Sequence, residues 1–239
     1  MKFVKVKNYE EVSQLGFELV KAELENNKKA VINFTTGYSP KGLIEKLVAS
    51  INDGLDVSEA TFMNLDEYVI AKDNSLSVHS FMHENLYDKI ESKPKNYFLL
   101  DGESEDFDAE IKDYKEKLQQ YPADIQILGL GTNGHVGANE PGASFEKKLY
   151  LSDLADASRE RHTEQYDMDL KDVPTQMLTL GMKDVMKAKT PILMVSGKAK
   201  AQALRDLIYE GVSEEFPASI LKTHENFICI YDEDAGSLL

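Results

Sequence analysis

The residues of this chain best suited to chemistry lie in one glycine-rich segment, residues 128–142. His135 and Glu140 stand in it, a ring that titrates near neutral pH and a carboxylate that can set its tautomer. The segment begins in the apolar run 125–130, which is typical of a buried parallel strand. Open α/β sheets bind ligands at the carboxyl ends of such strands, so the segment predicts a ligand site. The alternative is a helix-capping turn that contains an incidental histidine.

A second candidate is the acidic pair Asp66 and Glu67, which follows the predicted strand 60–65. Two successive side chains of an extended chain point to opposite sides, so one carboxylate of the pair can face a ligand crevice. A carboxylate desolvated beside a substrate carbon is a suitable base. The alternative is a solvated acidic loop, which is the commoner setting of acidic pairs.

The turn at residues 35–40 has two interpretations. Its hydroxyls, its glycine and the start of the following helix can hold a phosphate through backbone N–H groups and the helix dipole. The same residues can also form a plain helix start, with Ser39 as N-cap and Pro40 at the first helical position. The two interpretations are compatible.

Two cationic residues, Arg159 and Lys200, can reach a phosphate. Lys200 stands at a predicted helix start, where a positive charge opposes the helix dipole and a bound anion would relieve it. The alternative for each is a solvated surface charge.

Composition narrows the function classes. The chain has 239 residues and a formal net charge of −15, which argues against nucleic-acid and anionic-membrane partners. Cys229 is the one cysteine, in a strand-like context, and no signal-peptide core is present, so we expect a cytoplasmic protein. Zinc spacings such as CxxC and HExxH are absent, and no metal is expected.

The elements that position these residues alternate along the chain. Apolar spacing predicts helices over residues 9–27, 40–51, 77–90, 107–120 and 198–209. Short apolar runs predict strands over residues 30–34, 60–65, 96–100, 125–130, 177–180, 191–195 and 227–231. Repeated βα units predict an α/β fold with a mostly parallel sheet and helices on both faces. No linker interrupts the pattern, so residues 1–239 are predicted to form one domain.

Residues 129–134 also match a GxGxxG pattern. A dinucleotide site normally lies early in the chain, with an acidic residue about twenty positions later. Here the pattern comes after four βα units, so nicotinamide binding is not expected.

Together these segments resemble the glucosamine-6-phosphate deaminase/isomerase family. The strongest matches are residues 64–68, 77–82 and 129–142, and residues 173–181 also resemble the family. The resemblance covers nearly the whole chain and implies a Rossmann-like fold. It also implies conversion of glucosamine 6-phosphate and water to fructose 6-phosphate and ammonia, without a redox cofactor or a metal.

The resemblance further implies a role for each site residue. Asp66 matches the base that moves a proton between C2 and C1, His135 the group that opens the sugar ring, and Glu140 the carboxylate that orients His135. The phosphate ligands implied by the family fall on Thr36, Gly37, Tyr38, Ser39, Arg159 and Lys200. The arginine match is the looser one, since Arg161 competes with Arg159.

Several positions depart from the family pattern. Asn133 stands where many members have Asp, so it would hold geometry without charge and leave Glu140 as the main carboxylate tuning His135. Ala138 replaces a common aromatic residue, which could widen the pocket. Such changes keep galactosamine 6-phosphate, giving tagatose 6-phosphate, open as an alternative substrate.

Two further function classes are weaker alternatives. A 6-phosphogluconolactonase typically reads Ser-Leu-Phe-Pro-Gly after the histidine, whereas residues 137–142 read Gly-Ala-Asn-Glu-Pro-Gly. A non-catalytic sugar-phosphate sensor would need a DNA-binding helical unit, which the strand-like start does not offer. The expected partner is therefore a phosphorylated amino sugar, bound by a monomer or homo-oligomer. Because the chain ends soon after its last strand, we expect weak or no allostery.

Overall fold

The computed structural model describes residues 1–154, 159–160, 163 and 169–239. The largest unit is a seven-stranded sheet in the order β1-β10-β9-β6-β2-β3-β5, in which every neighbouring pair is parallel. Its strands are β1 (Lys2–Lys5), β2 (Val31–Phe34), β3 (Thr61–Asn64), β5 (Asn96–Phe98), β6 (Ile125–Gly129), β9 (Thr190–Val195) and β10 (Ile228–Tyr231).

Helices cover both faces of this sheet, as the alternating pattern predicts. The α-helices of the described residues are α1 (Tyr9–Asn26), α2 (Tyr38–Asn52), α3 (Val78–Met82), α4 (Phe107–Gln120), α5 (Met182–Val185) and α6 (Ala201–Tyr209). A π-helical segment, His83–Tyr87, continues α3, and 3-10 turns lie at Leu170–Asp172, Lys198–Lys200 and Pro217–Thr223. The predicted fold class, a Rossmann-like mostly parallel α/β sheet, is confirmed.

The core divides into two layers because side chains alternate along each strand. Ile32 and Phe34 of β2 pack in one buried cluster with residues of α1 and α2, whereas Val31 packs in the other with Tyr114 of α4. The same alternation separates Met194 from its neighbours on β9. Both faces of the parallel sheet are therefore apolar, which is why its strands read as continuous hydrophobic runs.

A second, three-stranded antiparallel sheet was not predicted. It has the order β4-β8-β7 and consists of β4 (Asp66–Tyr68), β8 (Gln176–Thr179) and β7 (Tyr150–Asp153). The chain passes from β3 to β4 through Leu65, whose N–H donates to Phe34 O and whose carbonyl accepts Leu180 N–H. The predicted strand 60–65 thus belongs to the large sheet, and the chain continues directly into the smaller sheet, whose first residue along the chain is Asp66.

Three predicted helices differ from those observed by more than one residue. The helix predicted over residues 198–209 consists of the 3-10 turn followed by α6. The helix predicted over residues 40–51 begins at Tyr38, because Gly37, with a φ of 92°, occupies the N-cap position. No side chain caps this helix, so the interpretation of Ser39 as its N-cap is wrong. The helix predicted over residues 77–90 is a short α-helix followed by the π-helical segment.

No helix among the described residues combines the length and the apolar character needed to cross a membrane.

Candidate active site

A cavity of about 580 Å³ opens at the carboxyl ends of the parallel strands, where α/β sheets place their ligands. Thr35, Leu130 and Ser196 line it, and each directly follows a strand of the large sheet. Asp66 and Met177 add a wall from the small sheet. The volume lies within the range of about 300–1,000 Å³ that is common for small-molecule sites.

Asp66 and Glu67 point to opposite sides of β4, as the extended geometry predicts. Asp66 lines the cavity and is 5% exposed. Glu67 turns away and accepts the backbone N–H groups of Val78 at 2.7 Å and His79 at 2.8 Å, so it anchors the start of α3. Burial, together with the neighbouring charge of Glu67, raises the pKa of Asp66 to about 7. Asp66 can thus exchange a proton near neutral pH.

Gly137 provides the space that Asp66 needs. Its φ is +58°, and a Cβ there would lie 2.8 Å from Thr179 Oγ1 and 3.2 Å from Asp66 Oδ2. Thr179 pairs with Asp66 across the small sheet. The absence of a side chain therefore lets the glycine-rich loop pack directly against the strand that carries the carboxylate.

His135 is oriented by an amide rather than directly by Glu140. Asn133 Nδ2 donates to Glu140 Oε2 at 2.8 Å, and Asn133 Oδ1 lies 2.7 Å from His135 Nδ1. Because a carboxylate only accepts, the amide nitrogen must face Glu140 and the amide oxygen must face the ring. His135 Nδ1 then carries a proton, and Nε2 is left as the exchangeable position.

Glu140 still acts on the ring electrostatically. Its Oε2 lies 3.7 Å from His135 Nδ1, an ion pair when the ring is protonated. The role of Glu140 in orienting His135 stays a prediction, and the hydrogen bond that links the two side chains passes through the neutral Asn133. The expectation that Asn133 holds geometry without adding charge fits these contacts.

Gly131 makes room for the imidazole ring. A Cβ at this position would lie 2.4 Å from both Cγ and Nδ1 of His135. The backbone N–H of Gly131 donates to His135 O at 2.9 Å, which closes the turn of the loop. At this position the absence of a side chain therefore accommodates the imidazole ring of His135.

The start of α2 forms one end of the cavity. Thr36, Gly37, Tyr38 and Ser39 all line the cavity, so the structure brings the whole predicted phosphate turn to it. Gly37 is the N-cap and no side chain caps the helix, so this terminus has backbone N–H groups to offer an anion.

Two lysines add positive charge to this end. Lys200 lines the cavity, as predicted, and Lys41 lines it as well. Asp232 fixes the loop before Lys200, because it accepts the Ser196 hydroxyl and the Gly197 N–H. The two cations and the helix start together suit a phosphate group.

Arg159 is not among the residues that line the cavity. Its Nη2 donates to Leu170 O at 2.9 Å and to Val173 O at 3.2 Å. Its predicted phosphate contact remains a prediction. Arg161, the competing arginine, lies outside the described residues.

Ala138 also lies away from the cavity. It is 1% exposed and packs in a small cluster with Leu154 and Met177, which do line the cavity. The size of the residue at position 138 therefore affects the shape of the cavity through the packing of Leu154 and Met177.

Lys41 and Tyr68 are among the residues of the cavity wall that the sequence interpretation missed. Lys41 follows Pro40 in the first turn of α2, and its closeness to the phosphate turn was the available signal. Tyr68 stands two positions after Asp66, on the same side of β4, so period-two alternation would have found it.

The fold and the site together define an α/β enzyme whose cavity combines titratable side chains with groups suited to bind an anion. The chain belongs to the family described as glucosamine-6-phosphate isomerases/6-phosphogluconolactonase, whose sequence profile matches residues 7–229.

That description names two activities, and proteins of the two kinds resemble this chain to different degrees. A glucosamine-6-phosphate deaminase of Streptococcus sanguinis is 39% identical over 241 aligned residues, covering 100% of this chain and 99% of that protein. The structure of a monomeric glucosamine-6-phosphate deaminase superposes with a TM-score of 0.95 at 33% identity, covering 100% of both chains. The 6-phosphogluconolactonase of Thermotoga maritima gives a TM-score of 0.77 at 17% identity, covering 97% of this chain and 100% of that chain, and shows the shared fold alone.

Proposed function

We propose that this chain is a glucosamine-6-phosphate deaminase, which converts glucosamine 6-phosphate and water to fructose 6-phosphate and ammonia. The observation that carries the proposal is the position of Asp66, whose raised pKa suits a base, in one cavity with His135. The deaminase relatives, similar over the full chain, support the same activity.

His135 opens the sugar ring in this mechanism. Its Nε2 exchanges a proton with the ring oxygen while the anomeric hydroxyl loses one, which gives the open-chain aldehyde. The Asn133 carbonyl keeps the proton on Nδ1, so Nε2 is the position that gives and takes it. Glu140 favours the charged ring through the 3.7 Å ion pair.

Asp66 then moves the proton that turns the aldose into a ketose. It removes the C2 proton of the open chain while the C1 oxygen gains a proton, which gives an enolamine. It then returns a proton to C1 while the amine loses one. The resulting imine at C2 adds water and releases ammonia, which leaves the ketone of fructose 6-phosphate. A carboxylate suits this step because its raised pKa lies close to the working pH, which favours both uptake and return of the proton.

The start of α2 and the side chains of Lys41 and Lys200 hold the phosphate. This end fixes the substrate so that C1 and C2 lie beside the carboxylate, and positioning of that kind lowers the barrier of the proton transfer. Arg159 remains a candidate fourth ligand, because the family resemblance assigns it there.

A coupled assay of ammonia release tests the proposal directly. We expect turnover with glucosamine 6-phosphate, less with galactosamine 6-phosphate, and no hydrolysis of 6-phosphogluconolactone. His135→Gln should lower kcat by about 100-fold, more than it changes binding, because ring opening loses its proton carrier. Binding of the amino sugar phosphate without turnover would instead make the chain a sensor.

The proposed enzyme forms a single domain over residues 1–239 and acts as a monomer in the cytoplasm. The proposal of a monomer rests on the similar structure that covers the whole chain, which is of a deaminase described as monomeric. The proposal of a cytoplasmic location rests on the buried thiol of Cys229, which fits a reducing compartment. Light scattering should give the mass of one chain, and rate curves should be hyperbolic in substrate. A larger mass or a sigmoidal curve would contradict this part of the proposal.

A further inference from the structure

A second cavity, of about 300 Å³, lies on the face of the large sheet that α4 covers. Its wall comes from the second half of α4, the start of β6 and the segment around α5. It shares no lining residue with the active-site cavity. Its volume is about ten times the roughly 30 Å³ that one water molecule occupies in the liquid, so it can hold a small organic molecule.

A fully buried amide, that of Asn33, belongs to the wall of this cavity. Asn33 is 0% exposed in the middle of β2, and neither its Nδ2 nor its Oδ1 has a hydrogen-bond partner among the described residues. The neighbouring Gln126 differs, because its Nε2 donates to the backbone oxygens of Asn33 and Ile127. An amide with both an unused donor and an unused acceptor is unfavourable in a protein interior unless something else bonds to it.

The rim of the cavity is cationic although the chain is strongly acidic. Lys115, Lys148 and Lys187 line it, in a protein whose formal net charge is −15. Lys187 pairs with Asp184 at 2.7 Å, and the other oxygen of Asp184 accepts Leu149 N–H. The other two lysines make no ion pair with any carboxylate of the described chain, so the rim retains positive charge.

Between the amide and the rim, the wall is mainly apolar. Leu118, Pro122, Ala123, Leu180 and Ala188 contribute to it. A ligand that fits must therefore combine a polar group that both donates and accepts, an apolar body and an anionic end.

We propose that this second cavity binds a small organic anion with an apolar body. Its carboxylate lies at Lys115 and Lys148, and a hydroxyl at its far end bonds to the amide of Asn33. The positive rim attracts the anion, while the amide selects molecules with a polar group at the correct depth.

Titration calorimetry and ligand-observed NMR with 4-hydroxybenzoate test the proposal, because this probe has a carboxylate, an apolar ring and a hydroxyl at the far end. We expect binding at millimolar concentration or tighter. Benzoate, which lacks the hydroxyl, and phenol, which lacks the carboxylate, should each bind about tenfold more weakly. No binding of 4-hydroxybenzoate would overturn the proposal.

Variants locate the binding. Asn33→Val and Lys115→Met should each weaken binding of 4-hydroxybenzoate about tenfold. Lys112→Met is the matched control, because Lys112 lies on the same helix and does not line the cavity. Binding that Asn33→Val leaves unchanged would overturn the proposal, since the anion would then sit at the surface only.

Thermal unfolding of Asn33→Val without ligand provides an independent readout. If the Asn33 amide makes no hydrogen bond in the ligand-free protein, its replacement by an apolar side chain of similar size should raise the melting temperature by about 2–4 °C. A lower melting temperature together with absent binding would show that ordered water already bonds the amide, and the proposal would fail.

Discussion

Two parts of the active-site cavity are built in different ways. We call the part around Asp66 and His135 the reactive end, and the part around the start of α2 the phosphate end. At the reactive end, the side chains of His135 and Glu140 are both held by Asn133. At the phosphate end, the start of α2 has no capping side chain, and exposed Lys41 stands beside it. We infer from this difference that proton transfer requires a fixed direction and a tuned pKa, whereas the binding of an anion requires only several hydrogen-bond donors close together. Substitutions at the first end should change kcat, and those at the second should change KM.

The largest effect is expected from Asp66→Asn. The amide keeps the size of the side chain but cannot accept the C2 proton, so kcat should fall by about 1,000-fold or more with little change in KM. Steady-state ammonia release measures both constants. Asp73→Asn is the control, because Asp73 is exposed and does not line the cavity. A raised KM with unchanged kcat would assign Asp66 to binding and break the distinction between the two ends.

The same variant should be more stable than the parent at high pH. The folded-state pKa of Asp66, about 7, exceeds its ordinary value of 3.8, so folding retains a proton that the unfolded chain releases. Stability from this group is complete below pH 4 and is lost as pH rises through 7. Asp66→Asn should remove this loss, which has an upper limit of about 4 kcal/mol.

Urea unfolding at pH 5 and pH 8 checks this expectation. The advantage of Asp66→Asn over the parent chain should be small at pH 5 and larger at pH 8. Because Glu67 is present in both proteins, the difference isolates Asp66. An equal difference at both pH values would show that the carboxyl of Asp66 titrates normally.

Replacing Asn133 should have an intermediate effect. Asn133→Leu removes the acceptor of His135 Nδ1 and the donor to Glu140, so the ring loses its fixed tautomer, and kcat should fall by about tenfold or more. Asn133→Asp should keep more activity, because it still accepts from the ring. Its second carboxylate favours the charged imidazole, so the pH–rate profile should extend to higher pH. Equal losses and unchanged profiles in both variants would mean that the residue has a packing role alone.

The smallest kinetic effect is expected at the phosphate end. Lys200→Met should raise KM for glucosamine 6-phosphate by about tenfold and leave kcat within about twofold, because it removes one of several phosphate donors. Lys198→Met is the control, since Lys198 lies in the same 3-10 turn and does not line the cavity. If Lys200→Met lowers kcat as strongly as Asp66→Asn does, the two ends are not functionally separate.

Most of the large sheet could be predicted from the sequence because its strands are buried on both faces and read as apolar runs. The helix predicted over residues 107–120 has the observed bounds, since Asp106 caps it by accepting Ala109 N–H. The small sheet was missed as a separate unit because β4 is three residues long, and its pairing with β8 is set by contacts between distant parts of the chain.

The sequence predicted many of the residues that line the site, but not the hydrogen bonds that join them. Asp66, His135 and Ser39 all line one cavity, as their motifs predicted. The position of Asn133 between His135 and Glu140 depends on the path of the loop, which spacing alone does not define. The contacts of Arg159 with Leu170 and Val173 depend on tertiary structure in the same way.

The division of the fold into two sheets has a consequence for how the rate could be altered. The carboxylate of Asp66 belongs to the small sheet, whereas the imidazole loop extends from β6 of the large one. The separation between Asp66 and His135 therefore depends on how the glycine-rich loop packs against the small sheet, where Ala138 N–H donates to Thr179, and on the backbone contact between Leu65 and Leu180. Engineering of turnover could start at this contact between the two sheets, because Leu65 and Leu180 do not line the active-site cavity. Repacking there would change the spacing of Asp66 and His135 without replacing a residue of the cavity wall.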